Sequence, residues 1–313
     1  VRALAAYILR GRLQAISITS AFGFLSLVIP PAAYLFSGVP VALVTLRVGP
    51  WAGIQVMLGS LLILVAGLLL MGLPATLAVS LVLGIWLPVV FCASYLRRSE
   101  SQAVMLQAAA AVAAGYVGML RLAIADVDDW WRRQLEPHIE QLLANRQDLT
   151  VEQLLEGVVP FINGMIAAGL VFSLAVTILL ARWAQALLYN PGGFGAEFRA
   201  LLLPRWLVVA TVAALAGAIL MENRLAGWLK DLVFIAMTLF LFQGLALCHL
   251  QVKARGWAVH WLWLMYAILV LLPQFVLFVA SMGFADAWLR RTQGRLPGQN
   301  GPDSGDDGDD RRE

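Results

Sequence analysis

Three polar side chains in apolar surroundings are the first candidates for chemistry. Asn163 follows "VVPFI", Gln243 stands inside "FQGLALCH", and His249 closes the same run. Amides and imidazoles in such segments either line a ligand pocket or hydrogen-bond to a neighbouring helix. Their spacing leaves both uses open, so Asn163, Gln243 and His249 are the candidate ligand-binding residues. Gln251, His260 and Gln274 lie nearer the ends of apolar runs. A metal or haem site would need His249 and His260 to fall in a ligating frame with a third donor. Neither H-x-x-x-H nor C-x-x-C frames them, so no metal and no cofactor is expected. The patterns G-x-S-x-G and H-E-x-x-H and the phosphate loop do not occur either, and the expectation is a protein that is not an enzyme.

Two further features point to partners. Ala15, Thr19 and Gly23 recur at a spacing of four, with Ser17 and Ala21 as a second pair. Such a small-residue face lets helices approach closely, either within one bundle or with a separate membrane protein. The stretch "YNPGGFGAEFRALLLPRW" (Tyr189–Trp206) looks at first like a phosphate loop, but it lacks the terminal Lys-Ser/Thr and no strand precedes it. Asn190-Pro191-Gly192-Gly193 reads as a helix stop and turn. Phe194 and Phe198, at i and i+4, would pin a short interfacial helix. Arg199 and Arg205 would then face lipid headgroups or a partner, which makes the stretch an elbow at the membrane surface.

The elements that carry these residues follow from composition. The 313 residues are 61% hydrophobic and 13% charged, against about a quarter charged in soluble domains, and mean hydropathy is +0.80. Uncharged windows run through Leu13–Leu46, Val48–Leu96, Ser101–Leu120, Gly157–Ala181, Trp206–Met221, Leu232–Val252 and Gly256–Ala285. A spanning helix needs roughly 20 apolar residues, so Val48–Leu96 holds two, with a turn near Met71–Thr76. The windows do not alternate as barrel strands do. The expected fold is therefore an all-α polytopic transmembrane bundle of eight to nine spans over residues 1–291. The first window is broken at Pro30-Pro31 and again at Ser37–Pro40. It predicts one full helix to about Leu27, then a short or re-entrant segment ending at Leu46–Pro50. None of the windows carries Asp, Glu, Lys or Arg in mid-span, which argues against a proton-driven pump.

Residues 121–159 form a polar insert with a capping box, Thr150-x-x-Gln153, and they predict amphipathic helices outside the membrane. Trp130-Trp131 look like interfacial anchors. Glu136 and Glu140 share one helix face, which reads as a solvated acidic surface. Residues 292–313 have no apolar run and are expected to be a disordered acidic tail. Cys92 and Cys248 lie in apolar windows and read as packing residues rather than a disulfide.

The net charge of +3 sits at the ends of spans, as the positive-inside bias requires, and indicates a lipid bilayer rather than nucleic acid. Arg10 with Arg12, Arg97-Arg98, Arg182 with Arg199 and Arg205, and Lys253 with Arg255 would all be cytoplasmic, as would the N-terminus. The acidic insert and Glu222–Lys230 would lie outside. Arg290, Arg291 and Arg295 argue for a cytoplasmic C-terminus, which would need one more crossing near Pro273. The basic start with no small-residue cleavage site reads as an uncleaved anchor.

The segments "IPPAAYLFSGVPVALVTLRVGP" (Ile29–Pro50), "NPGGFGAEFRALLLPRW" (Asn190–Trp206), "QGLALCH" (Gln243–His249) and "GFADAWLRR" (Gly283–Arg291) together resemble the YybS-like family of bacterial multi-pass membrane proteins. That family is distantly similar to the substrate-binding S components of energy-coupling-factor transporters. The resemblance implies a proline-led short segment at Pro40–Gly49 and a docking face at Ala15, Thr19 and Gly23. Two functions follow as expectations for a bacterial inner-membrane protein. One is an S-component-like protein that binds or transports a small molecule or lipid without a motor of its own. The other is a membrane scaffold or assembly factor that binds other membrane proteins. An enclosed polar cavity beside Gln243 would favour the first, and a closed apolar bundle the second.

Overall fold

The computed structural model describes residues 1–143, 150–221 and 224–292, and among these every regular element is helical. The chain opens with α1 (Arg2–Ile8), α2 (Arg12–Val28), α3 (Pro30–Arg47) and α4 (Pro50–Leu70). Prolines stand in the first turns of α3 and α4, where a missing N–H costs no intrahelical bond. The expected break at Ser37–Pro40 is not there, because Pro40 lies inside α3. Neighbouring helices brace that turn: Trp86 Nε1 donates to Ser37 Oγ (3.1 Å) and Thr177 Oγ1 to the Leu35 carbonyl (3.2 Å). Such outside support is how apolar bundles tolerate an interior proline.

The helices α5 (Thr76–Leu81) and α6 (Leu87–Ser99) run together through a π turn at Val82–Trp86, which ends two residues before Pro88. The widened turn accommodates the backbone donor that Pro88 lacks. Next come α7 (Gln102–Ala123), the insert helix α8 (Val127–Leu143), and α9 (Val151–Tyr189). The expected capping box opens α9, with both reciprocal bonds formed between Thr150 and Gln153. With 39 residues, α9 is about 58 Å long, far more than the roughly 30 Å hydrocarbon core requires. Its first turns project beyond the span and pair with α8 through Arg132 and Glu152 (2.7 Å). That bond holds the Arg132 guanidinium above its ordinary pKa.

The remaining elements are α10 (Gly193–Arg199), α11 (Arg205–Leu220), α12 (Arg224–Ala254), α13 (His260–Leu271) and α14 (Phe275–Thr292). The expected outer loop through Lys230 is already helix, since α12 begins at Arg224. The expected disordered tail, beyond Thr292, lies outside the described residues. Glycines decide how closely α12 and α14 pack. A Cβ at Gly244 would collide with the Val279 carbonyl oxygen, and one at Gly283 with the Phe240 carbonyl oxygen.

Among the described residues, five helices are long and apolar enough to cross a membrane, and five shorter apolar helices accompany them. Trp86, Phe240, Leu43, Leu174 and Ile178 fill the interior. The periphery exposes large apolar side chains, including Leu70 (90%), Leu122 (81%) and Val270 (80%). Apolar spans with an apolar rim are the construction of an integral membrane protein. Below, the end that carries α8 is called the insert end, and the end that carries α10 the elbow end.

Candidate functional site

Asn163, the first ligand candidate, belongs to a buried ionic network at the insert end. Asp231, in the second turn of α12, is 1% exposed. Its Oδ2 accepts from Arg121 Nε (2.6 Å) at the end of α7 and from Asn163 Nδ2 (2.6 Å) on α9. The Tyr116 hydroxyl completes the set by donating to Asn163 Oδ1 (3.2 Å). Arg121 also comes within 4.0 Å of Asp128 on α8. Burial raises the Asp128 carboxyl above its ordinary pKa, and the Arg121 guanidinium offsets part of that rise. Both polar atoms of the Asn163 amide are therefore bonded to neighbouring helices. In the sequence Arg121 and Asp231 only bound two apolar windows, and no motif there pairs them. The available signal was a charge of each sign at the same end of two spans.

Gln243, the second candidate, is fully buried and bonded on both sides. Its Oε1 accepts the Leu203 N–H (2.8 Å) and its Nε2 donates to Asp286 Oδ2 (2.8 Å) on α14. Residues 200–204 form no regular element, yet Leu201 and Leu203 are buried. A backbone N–H in that setting needs a partner, and Gln243 supplies it. Both ends of the Gln243 amide are thus occupied by protein partners.

His249, the third candidate, donates from Nδ1 to the Leu245 carbonyl (2.8 Å). Its ring is packed between Phe198 (5.4 Å) and Tyr266 (5.9 Å).

The helix stop after Tyr189 and the short helix α10 stand where the sequence placed them, with one addition. Arg182 on α9 holds Glu197 on α10 by a two-pronged pair and also donates to Gln185 Oε1 (3.1 Å). The Phe194 and Phe198 rings stack at 6.1 Å. The two partner-docking arginines depart from expectation. Arg205 turns towards α14, with Nη2 donating to the Trp288 carbonyl (3.3 Å) and the guanidinium 5.3 Å from the Trp288 ring. Arg199 is half-buried and folds back over Gly195 of its own helix.

The small-residue face of α2 is covered from within. Ala15 and Thr19 are fully buried, and a Cβ at Gly23 would stand 2.7 Å from Leu64 of α4. Ser60 Oγ on α4 donates to the Ile16 carbonyl (3.3 Å). Ala15, Thr19 and Gly23, the residues expected to dock a separate partner, are thus packed inside the bundle, with α4 against the Gly23 end. Thr19→Leu is expected to destabilise the purified protein by about 1–3 kcal/mol through overpacking. Thermal unfolding in detergent, with no partner present, checks this. An unchanged midpoint would return the face to a docking role.

Two cavities stand out among the described residues. One, of 310 Å³ between α8 and α9, is lined by Asp126, Asp128, Asp129, Arg132 and Glu156. Among the described residues no group of three or more His, Cys, Asp or Glu side chains could hold a metal ion. The other, of 490 Å³, is an apolar groove walled by α12, α13 and α14, lined by Leu247, Cys248, Trp261, Met265 and Phe278. Its volume falls in the range of ligand sites, about 300–1,000 Å³. Arg255 is the single charged residue in its lining. None of the three ligand candidates lines either cavity. The sequence concealed the groove because its walls are ordinary apolar helices, and only their separation makes a site. Comparison of the chain with family models, with curated proteins and with solved structures finds no match in any of the three.

Proposed function

We propose that this is a multi-pass protein of the bacterial cytoplasmic membrane that binds one lipid-like ligand in the groove between α12, α13 and α14. The carrying observation is the groove itself: 490 Å³ of apolar space with one cation at its edge. An amphipathic molecule matches both properties, with its tail inside and its polar part at the rim. Basic residues at the elbow end, Arg97-Arg98 and Lys253 with Arg255, support a cytoplasmic face there and a cytoplasmic N-terminus. The resemblance to the YybS-like family and to S components supports a binding protein whose motive force comes from elsewhere.

Native mass spectrometry after purification in a mild detergent tests the proposal. One tightly retained lipid per chain is expected, and Met265→Trp, which fills the groove, should displace it. Lipid-free protein, or retention indifferent to Met265→Trp, would overturn the proposal. A stoichiometric protein partner with no retained lipid would instead support the scaffold.

A further inference from the structure

The polar side of the groove shows which lipid would fit. Arg255 lines the groove one residue beyond the end of α12, and Lys253 stands in the last turn of that helix. Both are exposed, and neither side chain enters an ion pair or hydrogen bond among the described residues. At Gly256 the backbone takes φ +64°, a conformation that glycine adopts freely. The turn brings Trp257 beneath the Arg255 guanidinium, 4.9 Å from the ring centroid, and Trp261 follows 6.1 Å away. A guanidinium held over a ring keeps its N–H groups for other acceptors, and it can bind a phosphate through two oxygens.

The C-terminus of α12 contributes about half a unit of negative charge, which offsets only part of these two full positive charges. The polar rim is therefore a net cation. The apolar part opens towards lipid: α13 has no buried residue and exposes Trp263 (72%), Val270 (80%) and Leu271 (76%). Tryptophans beside basic residues mark the headgroup level of a bilayer.

We propose that the groove holds an acyl chain of an anionic phospholipid whose phosphate is bound by Arg255, with Lys253 beside it. This rests on the reading of the groove as a lipid site and adds headgroup selectivity to it. A free phosphate would leave the apolar cavity unfilled. A zwitterionic lipid carries its own cation, which competes for the same phosphate.

The test is competition between phosphatidylglycerol and phosphatidylcholine with identical acyl chains, in equal amounts in detergent, with retained lipid read by native mass spectrometry. The wild type should retain phosphatidylglycerol over phosphatidylcholine by about tenfold, given the attraction that each basic residue exerts on anionic lipid. The double variant Lys253→Gln/Arg255→Gln should bring the ratio close to one. The number of lipids retained should not change. Because both side chains are exposed, the fold should tolerate the changes, and Arg255→Gln alone should give an intermediate ratio. Arg98→Gln, an exposed change elsewhere, should leave the ratio unaltered. A wild-type ratio near one would overturn the proposal. So would a ratio unmoved in the double variant, or one lowered equally by Arg98→Gln, which would show a general surface effect. Failure of the underlying reading looks different: neither lipid is retained, or Met265→Trp displaces nothing.

Discussion

Replacing Asp231 with alanine is expected to remove about 3–5 kcal/mol of stability, the cost of breaking a buried ion pair from one side. The carboxylate receives Arg121 and Asn163 at 2.6 Å each, and it is 1% exposed. Without it, Arg121 keeps, among the described residues, just the exposed Asp128 at 4.0 Å as an acidic neighbour. Asn163 also loses an acceptor. The penalty arises mainly from what remains unpaired and less from the attraction that is lost. Two companion variants separate these contributions. Arg121→Ala should cost a similar amount, since it leaves a buried carboxylate. The double variant Arg121→Leu/Asp231→Leu should cost clearly less than the sum of the single changes, because neither charge is then stranded. Unfolding by denaturant in a fixed detergent gives all three values. A loss below about 1 kcal/mol for Asp231→Ala is what a solvated surface pair would give, and it would remove the network from the interior.

The second large effect is expected at the crossing of α12 and α14. Gly283→Ala should cost about 3 kcal/mol, at the upper end of the usual range for overpacking. The reason is the identity of the obstacle. An added Cβ meets the Phe240 carbonyl oxygen and the Gly244 amide nitrogen, which are backbone atoms of the facing helix and cannot rotate away. To make room, the helices must separate. That strains the Gln243–Asp286 bond and opens the wall of the groove. Gly244→Ala meets the Val279 carbonyl in the same way and should behave alike. Gly118 provides the contrast, since its nearest obstacle is the Trp228 ring at 3.9 Å. Gly118→Ala should be neutral or slightly stabilising, because alanine is the better helix former. Hydrogen exchange across Phe275–Leu289 should accelerate in Gly283→Ala and not in Gly118→Ala. Equal protection in both would mean that the helices do not touch.

The elbow and the insert show how much of this could be read from one dimension. The Asn190–Gly193 stop, the short helix that carries Phe194 and Phe198, and the Thr150–Gln153 capping box each depend on residues within a few positions of one another, and each stands where the pattern placed it. The turn between the two spans of Val48–Leu96 follows from the length of the apolar run. In contrast, Pro40 carries a local signal that tertiary support overrides. The small face of α2 was legible as a face, but nothing in its spacing says that α4 covers it.

The sequence by itself determined that this chain is helical and apolar, with an acidic insert and a basic elbow. In lipid each helix satisfies its own backbone, so hydropathy and local capping are sufficient to define the elements. Only the tertiary structure decided the use of the polar side chains. Asn163 reaches Asp231 across 68 positions of chain, and Arg121 reaches it across 110. Gln243 serves a backbone N–H 40 residues away. Those meetings depend on which helices cross, at what depth and how closely, and no residue announces that to its neighbours in sequence. The groove has the same origin: α12, α13 and α14 wall it together, and empty space between elements leaves no trace in the order of residues.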